Sequence, residues 1–145
     1  MCLSYAPAVY QFSRAIYREL APDVIDAPGC SANRRAVLAA CEAACDRLAS
    51  DPHYFARPTR TLFREIRIYF PLERQRRVYS VIQRHLELAG GHVDRALAEG
   101  RAPDGSPTKC RASTRGGRPC RREPLPGLEH CPSHRHLAEV PRIAA

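Results

Sequence analysis

The chain has 145 residues, 44% of them hydrophobic, with a net charge of +8 and seven cysteines. That length suits one domain, or one domain with a small module, and no run approaches the 18 or more apolar residues of a membrane helix. The first 17 residues lack the basic-then-apolar pattern of a secretory leader, so a cytoplasmic protein is expected, and seven cysteines there point to thiols or metal rather than a disulfide framework.

From the start, apolar residues recur at helical spacing. Residues 8–20 place Val9, Phe12, Ile16 and Leu20 on one face. Pro22 and Ala27-Pro28-Gly29 break the chain, and Ser31 or Asn33 is positioned to cap a second helix running to about Leu48. Its stripe is Val37, Leu38, Cys41, Ala44, Cys45 and Leu48. Pro58 suits the opening of a third helix over 59–69, since a first turn does not need the missing N–H. Leu62, Ile66 and Tyr69 or Phe70 form its inner face. A fourth helix over 72–88 buries Val78, Tyr79, Ile82 and His85 or Leu86; Gly90-Gly91 closes it, and a short helix over 93–98 follows. No segment alternates as a strand. The expected fold is mainly α: a bundle of four to five helices over 1–99.

Gly100, Pro103, Gly105 and Pro107 mark 100–108 as a linker. The next stretch is strongly basic: Lys109, Arg111, Arg115, Arg118, Arg121 and Arg122 fall within fourteen residues that hold no acid, whereas residues 1–104 carry only a mild excess of positive charge. Arginine supplies nearly all the positive charge of the chain, so its abundance alone does not identify a polyanion partner; its clustering in this short stretch is the stronger sign. Residues 137–145 read as a frayed tail.

Within 109–136 lie Cys110, Cys120, Cys131 and His134, separated by nine, ten and two residues. Three thiolates and an imidazole suit tetrahedral zinc, which accepts soft sulfur and borderline nitrogen without a ligand-field preference. Two intervening residues let one turn aim Cys131 and His134 at the same ion, and Gly116-Gly117 and Gly127 supply turns that return the longer loops to it. His136, or His130, is the alternative fourth ligand. Large apolar side chains are few here, chiefly Leu125 and Leu128, too few to offset ordering the backbone at roughly 1–2 kcal/mol per residue. One structural zinc, worth on the order of 10–16 kcal/mol in peptide systems, is the expected replacement for a core.

Residues 109–134, with Lys109-Cys110-Arg111, Cys120-Arg121-Arg122 and Cys131-Pro132-Ser133-His134, resemble the WRC-type zinc module of plant growth-regulating transcription factors and small bacterial modules of the same ligand set. All three intervals match that pattern, although Arg118-Pro119 stands where the plant family has Trp-Arg. The resemblance implies that Cys110, Cys120, Cys131 and His134 are zinc ligands. It also implies DNA binding, with Arg111, Arg121 and Arg122 facing the nucleic acid. Residues 1–99 resemble no family.

Other groupings read as structure. Cys41 and Cys45 lie one turn apart on an apolar stripe, where free cysteine packs as a small hydrophobe; a redox or iron–sulfur site with Cys30 is the competing reading. Arg60, Arg64, Arg67, Arg74, Arg76, Arg77 and Arg84 read as the solvated side of the bundle, with phosphate contact the alternative. Tyr54, Phe55, Phe63, Tyr69, Phe70 and Tyr79 read as core rather than as a platform for stacking bases. No nucleophile elbow, P-loop, dinucleotide fingerprint or HExxH motif is present, and His85 and His92 do not face Glu87 and Asp94, two positions away. The expected function is therefore non-enzymatic: a zinc-binding accessory or regulatory protein whose basic module contacts DNA or RNA or, alternatively, docks on an acidic protein surface. No membrane or small-molecule partner is expected.

Overall fold

In the computed structural model, which describes residues 9–102 and 106–139, the stripe that opens the sequence winds as helix α1 (Tyr10–Leu20). Ile16 and Leu20 are fully buried, Val9 is buried just before the helix, and Phe12 packs at the margin of the core. Ala8 and Cys2 lie outside the described residues. The chain divides into two compact units, Met1–Asp94 and Arg95–Ala145.

In the first unit, α2 (Ala32–Ser50) turns Val37, Ala40, Cys41, Ala44, Cys45 and Leu48 inward. Leu38 is only half-buried. The cap differs from the one expected. Ser31 occupies the cap position but makes no side-chain bond there. Asp26 reaches across the Ala27–Cys30 turn, and its carboxylate accepts the N–H groups of Asn33 and Arg34 at 3.1 and 3.2 Å. A carboxylate at a helix N-terminus satisfies free donors and complements the helix dipole, which a serine hydroxyl does less well.

Helix α3 (Pro58–Ile66) opens at its proline and continues as a 3-10 turn over Arg67–Tyr69, with Leu62, Ile66 and Phe70 buried. Of the expected aromatic core, Phe55 and Phe70 are buried and Phe63 and Tyr69 pack against the margin. Tyr54 is 83% exposed, because the loop before α3 turns its neighbour Phe55 inward instead. Tyr79, expected inside, is 39% exposed and meets Phe63 edge-on at 5.3 Å between ring centres.

A 3-10 turn over Leu72–Arg74 leads into α4 (Gln75–Ala98). This is one continuous helix where the glycine pair predicted a break followed by a short helix. Each interior glycine costs about 1 kcal/mol relative to alanine, but Leu86, Ala89 and Val93 lie on the buried face around the pair. Burying large apolar side chains, at roughly 1.5–3 kcal/mol each, outweighs that cost. The helix ends at Gly100, φ +71°: Arg101 N–H bonds Ala96 O and Gly100 N–H bonds Leu97 O, the paired closing bonds of a Schellman motif.

Ion pairs join α1 and the turn after it to α4 and the 3-10 turn that leads into it. Glu19 binds Arg84 and His85, and Asp23 binds Arg74 and Arg77. Three of the arginines read as a solvated basic face thus have carboxylate partners while staying about half exposed, so each pair adds at most about 1 kcal/mol. Cys41 and Cys45 are fully buried, as core packing requires, while Cys30 is exposed. Burial, then the neighbouring Cys45 thiol and Glu42, pushes Cys41 up to about 12, and burial and Asp46 do the same at Cys45.

The second unit is irregular. Among the described residues its extended segments form only isolated bridges, Arg101↔Pro107 and Ser113↔Pro119. A run of 3-10 turns covers Pro132–Glu139, so Leu137–Glu139, expected as frayed tail, continue it. Residues 140–145 of that expected tail, and Pro103 and Gly105 of the linker, lie outside the described residues. No helix among the described residues is long and apolar enough to cross a membrane.

Candidate metal centre

The site is built on a short hairpin. Cys110 N–H bonds Arg122 O at 2.8 Å, Cys120 N–H bonds Ala112 O at 2.8 Å, and Thr114 N–H bonds Arg118 O at 2.7 Å. With alternating side chains, this register puts Cys110, Ala112 and Cys120 on one face of the hairpin and Arg111 and Arg121 on the other. Cys110, Ala112 and Cys120 are indeed buried, with Cys131 completing the small cluster. The hairpin closes through Gly117, φ +76°, whose N–H returns to Thr114 O.

Two further turns bring up the remaining donors. At Leu125-Pro126-Gly127-Leu128, the Leu128 N–H bonds Leu125 O and Gly127 takes φ +75°, the requirement of a type II turn with proline before it. Leu125 N–H then bonds His130 O and Arg111 N–H bonds Glu129 O, which fastens this loop to the hairpin. At Cys131-Pro132-Ser133-His134, the His134 N–H returns to Cys131 O, so the two-residue step places thiol and imidazole side by side.

The Sγ atoms of Cys110, Cys120 and Cys131 and a ring nitrogen of His134 all lie within 4.8 Å of one another. Tetrahedral zinc, with bonds of about 2.3 Å to sulfur and about 2.0 Å to nitrogen, requires edges of about 3.8 Å between sulfurs and about 3.6 Å between sulfur and nitrogen. The Cys120–Cys131 sulfurs are 4.0 Å apart, and His134 Nδ1 is 3.3 Å from Cys131 Sγ and 3.6 Å from Cys110 Sγ. The four donors therefore fit one metal ion. His130 and His136 are not members of this group. His136 is exposed, its ring 6.4 Å from that of His134, and His130 keeps a buried Nδ1 without a hydrogen-bond partner.

The thiols are tuned in opposite directions. At Cys110, burial opposes ionisation, but hydrogen bonds from the backbone of Cys131 and Ala112, then from the His134 and Cys131 side chains, outweigh it and bring the thiol down to about 6. At Cys120, the Arg122 backbone favours the thiolate, but burial and the neighbouring Cys131 and Cys110 sulfurs hold the thiol up. Crowded thiols cannot all ionise without a compensating charge, which a divalent cation supplies.

The six basic residues around the site are not equivalent. Arg111 Nη1 lies 3.1 Å from both carboxylate oxygens of Glu129, so an acid of the module partly offsets its charge. Arg122 donates to the Ser133 hydroxyl, next to the candidate donor His134. Arg118, Arg121 and Arg122 line an open cleft of about 580 Å³ with Thr114, Pro119 and Cys120, and among the described residues no carboxylate lines it. Arg115 is exposed at the hairpin tip, and Lys109 borders a separate pocket with Glu99 and Glu129. Sequence reasoning did not find the Glu129 and Ser133 contacts. Each partner lies 18 or 11 residues from its arginine, and only closure of the module brings them together. No iron–sulfur or other metal group forms around Cys30, Cys41 and Cys45 among the described residues.

No family model, no curated protein and no solved structure matches the chain.

Proposed function

We propose that this chain is a non-enzymatic zinc protein, of the accessory or regulatory kind, whose Cys3His module contacts nucleic acid. The observation that carries the reading is the convergence of three sulfurs and one nitrogen at tetrahedral separations, immediately beside the acid-free arginine cleft. Zinc is the preferred ion because the donor set is sulfur-rich and the spacing tetrahedral. Four protein donors leave no open position for water or substrate, so the ion serves folding rather than catalysis. Zinc would hold Cys110, Cys120, Cys131 and His134 together, and so hold the cleft in shape. The nucleic-acid reading accords with the ligand spacing shared with the WRC-type module. The helical unit would mediate assembly or partner contact.

Arginine contacts to phosphate release counterions, so affinity should fall steeply with salt. Binding to DNA and RNA measured at two salt concentrations, for the native chain and for Arg118→Ala/Arg121→Ala/Arg122→Ala, tests the reading. The native slope of log affinity against log salt should exceed that of the variant by about 3, one unit per lost phosphate contact. No detectable binding at low salt overturns it. An association with an acidic protein that survives nuclease treatment would then take its place.

A further inference from the structure

We infer that the tip of the Cys110–Arg122 hairpin enters the minor groove of double-stranded DNA and favours A·T-rich tracts. This rests on the nucleic-acid reading above and assigns it a groove and a base composition. The tip is Thr114-Arg115-Gly116-Gly117-Arg118, closed by Gly117 N–H to Thr114 O at 2.9 Å and Thr114 N–H to Arg118 O at 2.7 Å. Two of its five residues, Gly116 and Gly117, carry no side chain. Gly117 needs this for its φ of +76°, but Gly116 has no internal need: a Cβ built there meets nothing within 4 Å. The loop is thinner than its own fold requires.

Two exposed arginines flank the bare backbone, and neither Arg115 nor Arg118 forms an ion pair among the described residues. A minor groove about 6 Å wide excludes a side-chain-bearing ribbon yet admits such a tip, whereas a major groove about 12 Å wide is filled by a helix or a full ribbon. The narrow groove of A·T tracts also concentrates negative potential, which draws arginine inward. G·C pairs place the guanine N2 amino group in the path.

The composition removes two competing modes of reading; arginine at guanine O6 and N7 in the major groove is the third, and the inosine duplex below separates it. Residues 101–145 contain no Phe, Tyr or Trp to stack on unpaired bases, and no Asn or Gln to clasp adenine in the major groove. Cys120 lies two residues after Arg118, so a metal-clamped base would present the tip already ordered and reduce the entropy lost on binding.

The test uses the full-length, metal-loaded chain and three duplexes of equal length: A·T, G·C, and a version of the second with inosine replacing guanosine. Inosine removes the N2 amino group from the minor groove and leaves the major-groove edge unchanged. The A·T and inosine duplexes should bind alike, each about five- to tenfold tighter than the G·C duplex, the lower range for one discriminated pair. Gly116→Leu should keep the metal content of the native chain and lose that preference, because the added side chain meets open space in the fold but bars the groove. Equal binding to G·C and inosine duplexes, or a preference for G·C or for single strands, overturns the inference while leaving nucleic-acid contact standing. Absence of binding to any nucleic acid at low salt overturns both.

Discussion

The two units of this chain solve the same problem with different chemistry. Among the described residues, the first unit buries a conventional apolar core of twenty side chains, from Val9 to Val93. The buried cluster of the second has four members, and three of them are cysteine sulfurs. Apolar burial is cooperative but divisible, since each side chain adds its own increment. A metal-ligand cluster would not be divisible: without a cation the crowded thiols stay largely protonated and hold little together, and with one bound every loop that carries a donor would be fixed at once. The same residue type accordingly behaves in two ways. Cys41 and Cys45 are pushed up to about 12 and stay neutral within the bundle, whereas Cys110 is drawn down to about 6 by donors arranged around it.

The largest test of this contrast is removal of the metal. Chelation, or Cys131→Ser, should withdraw a binding free energy on the order of 10–16 kcal/mol. Amide-exchange protection at Arg111, Cys120 and Leu125, whose N–H groups close the module, should collapse. The unfolding of the helical unit should stay within about 0.5 kcal/mol of native, because its buried core is made of its own residues. Protection that survives chelation would mean the second unit does not depend on metal.

Next in size, Ile82→Ala should destabilise the helical unit by about 2–5 kcal/mol, since Ile82 is fully buried and its loss leaves a cavity. Urea unfolding measures this, and the metal content should not change. Loss of metal on this substitution would show that the units are energetically one.

A smaller effect is expected from pH. The Cys41 and Cys45 thiols are raised from 9.0 to about 12, so the fold favours their neutral form. Their contribution is fully present below pH 9 and diminishes as pH rises from 9 toward 12. The urea midpoint of the helical unit should therefore fall on the alkaline side, and less steeply in Cys41→Ala/Cys45→Ala. Equal slopes in the two proteins would contradict the assignment of these thiols to the core.

The smallest effect is a gain. A Cβ at Gly90 meets nothing within 4 Å, so Gly90→Ala should stabilise α4 by about 0.5–1 kcal/mol. Thermal unfolding measures it, and a loss of stability would point to a packing role for the bare helix at that position.

The helical repeat, read residue by residue, located most of the core, because the periodicity of α1, α2 and α3 is a local property and their inner faces contain residues that must avoid water. Ile16, Leu20, Val37, Leu62, Ile66, Val78 and Ile82 are all fully buried. The four metal donors were legible for a different reason: a two-residue step and glycine turns are local devices that converge only if something holds them. Expectations failed where local preference competed with distant contacts. Gly90-Gly91 marked a helix end, yet burial of Leu86, Ala89 and Val93 carries α4 through it. Ser31 marked a cap, yet Asp26 provides it across a turn. Tyr54 marked core, yet Phe55 takes the inward position.

The sequence alone thus determined the helical class, the basic stretch and the identity of the donor set, because each depends on residue type and short spacing. Only the tertiary structure decided which charges remain available. It pairs Arg111 with Glu129, orients Arg122 by the neutral Ser133 hydroxyl with its charge intact, and leaves Arg115 and Arg118 exposed on either side of two glycines. Charge is counted along a chain, but it is cancelled or left exposed in space, and only closure of the loops sets those distances.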